Sequence, residues 1–219
     1  MPNTRHIHLD DAGWELHGRA LHTIVWDNSF DDRMTVQFSM HPPDLPVAPT
    51  GDEQDLEDLR AHFRGAVESS GGGVLSIDVV ECGGRRAVQT LFKFPRKPSP
   101  GTVYLASLII PFREFGYIVR IQCPDFETHS ERHRTIFARE MARPDVKIDP
   151  ATASPSGWLE DPYAPTGPVH EFTRSTADKL SFDEEFPDDA LTRARRTLAR
   201  QREALWFDEE VLSAPAFGD

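Results

Sequence analysis

The segment from Gly101 to Cys123 constrains the fold of this chain more than any other stretch. Its first half, residues 103–110, is a largely apolar run of residues that fit the pleated surface of a strand. Successive side chains of a strand point to opposite faces of the sheet, and here both faces are apolar. We therefore expect other parts of the chain to cover the sheet on both sides.

The second half of this segment, residues 117–123, alternates in polarity instead. One face is apolar and consists of Tyr117, Val119, Ile121 and Cys123. The other face is mixed and consists of Ile118, Arg120 and Gln122. The pattern predicts one buried face and one partly solvated face. Pro111 and Pro124 close the two strands, because proline donates no hydrogen bond to a ladder. The segment is therefore predicted to form a central antiparallel hairpin.

Four more strands are predicted, at residues 21–26, 34–40, 74–80 and 86–94. The first two alternate in polarity, and the last two flank Gly83-Gly84, a pair that suits a two-residue hairpin turn. The connections that link the later strands are short. Those strands should therefore be antiparallel neighbours in one sheet.

Three helices are predicted, over residues 52–69, 125–142 and 188–206. Apolar residues recur at helical spacing in each, as Leu56, Leu59 and Phe63 do in the first. Between the second and third helices the chain is rich in proline but also carries several aromatic side chains, which predicts an ordered, irregular wrap. The first two helices follow strands in an order that allows one helix on each face of the sheet.

These elements predict an α+β fold, a mainly antiparallel sheet with a helix on each face, in a domain of residues 1–143. Residues 144–219 are predicted to form a partly helical extension, a proline-rich wrap and a C-terminal helix packed on that domain. The order of elements over residues 20–142 resembles the PsbP-like α/β/α sandwich superfamily. The resemblance is carried by the 34–40 strand, the 52–69 helix, the Gly83-Gly84 hairpin and the strand-strand-helix ending at 101–142. It implies a fold whose known members are mostly non-enzymatic binding or assembly proteins.

The charge balance restricts the partners of the protein. Lys and Arg total 24 against 36 Asp and Glu, for a formal net charge of −12, so the field of the protein repels phosphate. We therefore expect no binding to nucleic acid or to anionic membranes, and a basic protein is the favoured partner.

The location of the protein is also predicted from its sequence. No apolar run reaches membrane-spanning length, and the first twenty residues lack the apolar region of a secretory signal. These features predict no membrane insertion and a cytoplasmic location. Cys82 and Cys123 are expected to be reduced thiols, and the arginine-rich composition is typical of a bacterial genome rich in GC.

No catalytic, cofactor or metal motif stands out in the sequence. His129 and His133 are one helical turn apart but lack a third ligand, so a solvated helix face is favoured over a metal site. Five arginines between residues 193 and 202 form the main basic cluster, and acidic segments on both sides favour pairing within the chain over nucleic-acid binding. We therefore expect no cofactor and no metal, and favour a non-enzymatic role.

Two functional hypotheses remain. The preferred one is a non-enzymatic protein-binding or adaptor protein, of the secretion-adaptor, chaperone or immunity type, with an acidic surface. The alternative is a small-molecule-binding protein or enzyme with a pocket between the sheet and the C-terminal wrap. Arg120, Trp158 and Tyr163 are the residues expected to line such a ligand or partner surface.

Overall fold

Seven strands form one antiparallel sheet in the middle of the protein. The computed structural model describes residues 2–218. Its strands are β1 (Ile7–His8), β2 (Glu15–Arg19), β3 (Thr23–Asp27), β4 (Arg33–Ser39), β5 (Gly73–Cys82), β6 (Arg85–Pro95), β7 (Thr102–Pro111), β8 (Gly116–Asp125), β9 (Ile148–Asp149), β10 (Ser154–Pro155) and β11 (Trp206–Phe207). Its helices are α1 (Glu53–Ser69), α2 (Glu131–Met141), α3 (Ala190–Ala204) and α4 (Glu209–Leu212), with short 3-10 turns at Thr176–Asp178 and Leu180–Phe182. The sheet runs in the order β2-β3-β4-β8-β7-β6-β5, while β1 pairs with β11 and β9 with β10 in two short ladders.

The predicted central hairpin is confirmed. Strands β7 and β8 pair in antiparallel register with Ala106 opposite Ile121, and they lie between β4 and β6. Val119 and Ile121 are fully buried on one face of β8, whereas Ile118 and Arg120 on the other face are half-buried. The alternation in the sequence therefore reports the difference between the two faces correctly.

The predicted two-residue turn between β5 and β6 is also confirmed. Gly83 and Gly84 both have positive φ, 58° and 73°, which glycine adopts without steric cost. A Cβ atom at Gly83 would lie only 2.6 Å from a methyl carbon of Leu205. The turn therefore also provides the close approach by which the C-terminal segment packs on the sheet.

One face of the sheet is covered by α1. Leu59 and Val67 of this helix are buried in a cluster with Ile77, Val88 and Ile109 of strands β5, β6 and β7. Asp52 precedes the helix in extended conformation, and acidic residues occupy its first turn, where the helix dipole favours negative charge. The helix forms where the apolar spacing predicted it.

The other face is covered by α3, which belongs to the C-terminal extension. Leu191, Ala194 and Leu198 are buried in one cluster with Leu108 and Val119 of the central hairpin. The predicted α+β fold with a helix on each face is thus confirmed, with the second helix contributed by the last third of the chain. The boundary proposed near residue 143 between a domain and an extension stays a prediction.

Helix α2 does not cover the sheet in the way that the order of elements suggested. It begins at Glu131, later than predicted, and its buried residues are only Arg132 and Ile136. This surface is too narrow for the apolar stripe that packing on a sheet requires. Ile136 packs instead with Trp158 and Ala177 of the extension. Within residues 2–218, no helix is long and apolar enough to cross a membrane.

Val119→Asp should unfold the protein. Val119 is fully buried on β8, and an uncompensated buried charge costs about 3–5 kcal/mol, a large part of the stability of a typical domain. Thermal melting followed by circular dichroism should show a strongly lowered transition or none. Gln122→Asp, on the solvated face of the same strand, is the matched control and should melt close to the wild type. Wild-type melting of Val119→Asp would mean that the strand is misplaced.

Candidate binding sites beside helix α2

A buried arginine fixes the position of α2. The side chain of Arg132 is 2% exposed. Its Nε donates to the Ala177 carbonyl at 2.7 Å, its Nη2 donates to the Lys179 carbonyl at 2.7 Å, and its Nη1 donates to Thr192 Oγ1 at 2.9 Å. Its Nη2 also lies 2.8 Å from the Asp183 carboxylate. Arg132 therefore joins α2 both to the 175–183 segment and to α3. A depression lies on each side of the helix held in this way.

The first depression is a cavity of about 640 Å³ between the sheet, α2 and the extension. Strands β6 and β7 contribute Lys93 and Tyr104 to its wall. Helix α2 contributes His133 and Phe137, and the extension contributes Trp158 and Asp178. The cavity thus lies between the sheet and the C-terminal wrap, with apolar and ionisable side chains in the same wall.

Lys93 and Asp178 form a buried ion pair in this wall. Their side chains are 8% and 6% exposed, and Lys93 Nζ lies 2.6 Å from Asp178 Oδ2. The same oxygen accepts hydrogen bonds from the Ser175 backbone N–H at 2.7 Å and from Ser175 Oγ at 3.0 Å. Burial alone would raise the pKa of Asp178, but the Lys93 ammonium and the Ser175 donors outweigh burial and lower it. The carboxylate of Asp178 is therefore ionised at neutral pH.

Aromatic rings form another part of the cavity wall. The rings of His129 and His133 are stacked with centroids 4.7 Å apart. Trp158 meets His133 and Phe137 edge-on, with centroids 5.2 and 5.1 Å away. Burial lowers the pKa of His133 to about 4, with further contributions from the charges of His129 and Lys93. At neutral pH His133 is therefore an uncharged ring surface of the cavity.

The second depression is an acidic groove with a volume of about 710 Å³ on the other side of α2. The carboxylates that line it are Asp125, Glu127, Glu131, Glu185, Asp188 and Asp189. Glu127 and Glu185 pair with Arg134 and Arg139 of α2. Among residues 2–218, the side chains of Glu131 and Asp188 have no hydrogen-bond or ion-pair partner. The groove therefore presents unneutralised negative charge.

The arginines that line the acidic groove are engaged in contacts within the chain. Arg193 holds the buried carboxylate of Asp32 at 2.8 and 2.9 Å, and Arg132, besides the contacts given above, lies 3.7 Å from the Asp189 carboxylate. Burial raises the pKa of Asp125 and of Asp189, and the charges of Arg193 and Arg132 respectively oppose part of this rise. A partner with positive charge would further stabilise the ionised form of both carboxylates.

Two exposed phenylalanines lie in the acidic groove. Phe30 and Phe126 are 48% and 49% exposed, and both line the groove. The guanidinium carbon of Arg193 lies 4.8 Å from the ring centre of Phe30, and that of Arg96 lies 4.4 Å from the ring centre of Phe126. Each ring therefore already makes a cation–π contact with a guanidinium of this chain on one face.

The structure places the three predicted surface residues apart. Trp158 is buried in the wall of the cavity. The Tyr163 hydroxyl accepts from the Ile77 N–H at 2.6 Å and lies 3.2 Å from the Ile77 carbonyl, so this residue fastens the extension to β5. Arg120 lies on the half-buried face of β8, and its Nε is buried with no hydrogen-bond partner among the described residues. Only Trp158 lines the cavity.

Three arginines of α3 pair with carboxylates of the chain, and one of these carboxylates, Asp183, belongs to the flanking acidic segments. Arg193 binds Asp32, Arg195 lies 2.8 Å from Asp183, and Arg200 lies 2.5 Å from Asp10. The two stacked histidines belong to the wall of the cavity. Within residues 2–218, no group of three or more His, Cys, Asp or Glu side chains is placed to hold a metal ion.

Sequence reasoning missed the buried charges beside α2. Lys93 was one available signal, because it is a charged residue between two phenylalanines in a predicted strand. Arg132 gave no such signal, since its neighbours in α2 are mostly polar and exposed. Its partners lie 45 to 60 positions further along the chain.

The sequence matches no protein-family model and no curated protein. Among solved structures, the chain is similar to the Ran-binding protein Mog1p of Saccharomyces cerevisiae, with 12% identity and a TM-score of 0.47, over 97% of this chain and 98% of that one. It is also similar to LpqN of Mycobacterium tuberculosis, which is involved in cell envelope biogenesis, with 17% identity and a TM-score of 0.31, over 55% of this chain and 71% of that one. At these scores neither likeness identifies a ligand or a partner for this chain.

The low pKa of His133 should make stability depend on pH. Its pKa is about 4 in the folded protein against 6.5 for an unperturbed histidine, so the unfolded chain binds the proton first. Stability should therefore fall as the pH is lowered from 7 towards 5, a window above the ordinary pKa of carboxylates. Urea unfolding measured at several pH values should show a shallower fall for His133→Asn than for the wild type. Equal slopes would contradict the buried, uncharged state of His133.

Proposed function

We propose that this protein is a non-enzymatic binding protein that recognises a basic segment of another protein in the acidic groove. The observation that supports this proposal best is the combination of unpaired carboxylates and exposed phenylalanines in one depression. Adaptor, chaperone and immunity proteins all need such a partner surface. The cytoplasm is the proposed compartment, and both cysteines are buried free thiols.

Charge complementarity is the first argument for a basic partner. Glu131 and Asp188 are exposed, and the chain as a whole carries a net charge of −12. Long-range attraction would speed the encounter with a cationic segment, and local pairing would fix its register. The same charges oppose binding of nucleic acid.

The exposed aromatic rings are the second argument. Exposed carboxylates alone contribute little to affinity, whereas aromatic anchors often dominate the energy of an interface. Phe30 and Phe126 each have one face against an arginine of this chain. Their other contacts are available to apolar side chains or to arginines of a partner. We therefore propose a partner segment that carries both basic and apolar residues.

A labelled peptide of alternating arginine and leucine is a direct probe of the groove. It should bind the wild type more tightly than an alternating glutamate-leucine peptide does, and the affinity should fall as salt is added. Fluorescence anisotropy measures both effects. Glu131→Gln/Asp188→Asn should weaken binding by about two- to thirtyfold, since exposed charges contribute about 0.2–1 kcal/mol each. Phe126→Ala should weaken it further.

The matched control is Glu81→Gln/Glu114→Gln, which removes two exposed carboxylates outside the groove. This variant should bind the basic peptide almost as the wild type does. Equal losses in the two double variants would show that net charge attracts the peptide to no particular surface, and would contradict the proposed site.

A further inference from the structure

We infer that the cavity beside α2 binds a small organic molecule with an apolar, ring-sized body and an oxygen head group, a carboxylate or a carbonyl, that accepts hydrogen bonds from Lys93 and Tyr104. This site lies on the other side of α2 from the acidic groove, and Asp125, Ser130 and Arg132 lie between the two. The ligand is of a different chemical class from the basic segment proposed there.

The size and lining of the cavity suit such a molecule. Its volume of about 640 Å³ lies within the range of small-molecule sites, which combine mostly apolar walls with a few polar groups. Phe137 and Trp158 supply apolar ring surface on one side. Phe172 and Val169 of the extension also line it. The apolar body of a ligand could therefore pack against these side chains.

Lys93 supplies unused hydrogen-bond donors. An ammonium group has three donor protons, and among residues 2–218 the only acceptor for Lys93 is Asp178. Leaving buried donors unsatisfied is costly, so a buried lysine with one acceptor is unusual without a further partner. The three hydrogen bonds to Asp178, from Lys93 and from the backbone and hydroxyl of Ser175, are all accepted by Oδ2. The donor capacity that remains at this point belongs to Lys93.

Tyr104 lies beside Lys93 and adds another donor. The two residues are directly opposite each other on β6 and β7, so their side chains leave the same face of the sheet as neighbours. Tyr104 is 8% exposed, and its hydroxyl makes no hydrogen bond with the described part of the chain. Burial raises its pKa, so the hydroxyl keeps its proton. Two adjacent donors that face one cavity select an acceptor oxygen.

The surrounding charges are compatible with either head group. The positive charge of Lys93 is balanced by Asp178, and Arg132 is bound to carbonyls and carboxylates of the chain. His133 is uncharged at neutral pH for the reason given above. A carbonyl would therefore use the donors alone, whereas a carboxylate would also gain from the nearby ammonium.

Isothermal titration calorimetry with four naphthalene derivatives tests this inference. Naphthoate carries the charged acceptor, acetylnaphthalene the neutral one, methylnaphthalene no polar head, and naphthylmethylammonium a donor head. Naphthoate, acetylnaphthalene or both should bind at least tenfold more tightly than methylnaphthalene and naphthylmethylammonium. Binding of naphthoate alone assigns a carboxylate ligand, and binding of both assigns the carbonyl oxygen as the feature recognised. Equal affinity for all four, or no binding, would overturn the inference.

Two variants locate the head group. Tyr104→Phe removes only the hydroxyl. It should lower the affinity for the preferred ligand by about tenfold, which corresponds to the loss of one hydrogen bond to a charged or buried group. Lys93→Met/Asp178→Asn removes both charges together, so no unpaired charge stays buried, and it should abolish the preference for an oxygen head. Wild-type affinity in both variants, with wild-type melting, would also overturn the inference. Phe126→Ala, in the acidic groove, should leave naphthoate binding unchanged. The small-molecule site and the proposed binding of a basic segment can therefore be contradicted independently of each other.

Discussion

The buried guanidinium of Arg132 determines how the C-terminal third of this protein is arranged. An arginine removed from water is costly unless its donors are used and its charge is paired, and here carbonyls, a hydroxyl and a carboxylate meet it within 2.9 Å. These partners belong to the 175–183 segment and to α3. Because α2 has little apolar surface of its own, Arg132 and Ile136 hold it in place. The cavity and the acidic groove lie on the two sides of α2, so both depend on the position in which α2 is held.

The hydrophobic core between the sheet and α3 also holds the C-terminal third of the chain in place. Tyr104, Leu108 and Val119 of the central hairpin are buried beneath Leu191 and Leu198 of α3. Without α3 this face of the sheet would expose a large apolar area, so burial of that face drives the docking of the extension. The pairing of β1 with β11 then joins the beginning and the end of the described chain, with Ile7 opposite Phe207. The cavity and the acidic groove therefore lie beside a well-packed core.

The central hairpin and α1 could be predicted because their signals are local. Apolar runs, alternation and helical spacing depend only on neighbours in the sequence, and they mark Val119 and Leu59 as residues of a buried face. The position of α2 depends instead on Arg132 and on residues 45 to 60 positions away. Lys93 and Asp178, which meet in the cavity, are 85 positions apart. Such pairs of charges leave no periodicity, so neither the cavity nor the groove could be located from the sequence, and of three candidate residues only Trp158 lines the cavity.

Hydrogen exchange of Arg132→Met, followed by mass spectrometry under native conditions, tests the role of this arginine most directly. The variant keeps the apolar stem but leaves the carboxylate and carbonyls around it without their donor, a change that costs about 3–5 kcal/mol. We expect amides of α2 and of residues 175–183 to exchange at least tenfold faster in this variant, while β7 and β8 keep their protection. Arg134→Met, an exposed neighbour on the same helix, should leave all of them unchanged. Unchanged protection of α2 in Arg132→Met, or the same loss of protection throughout the chain, would contradict this role of Arg132.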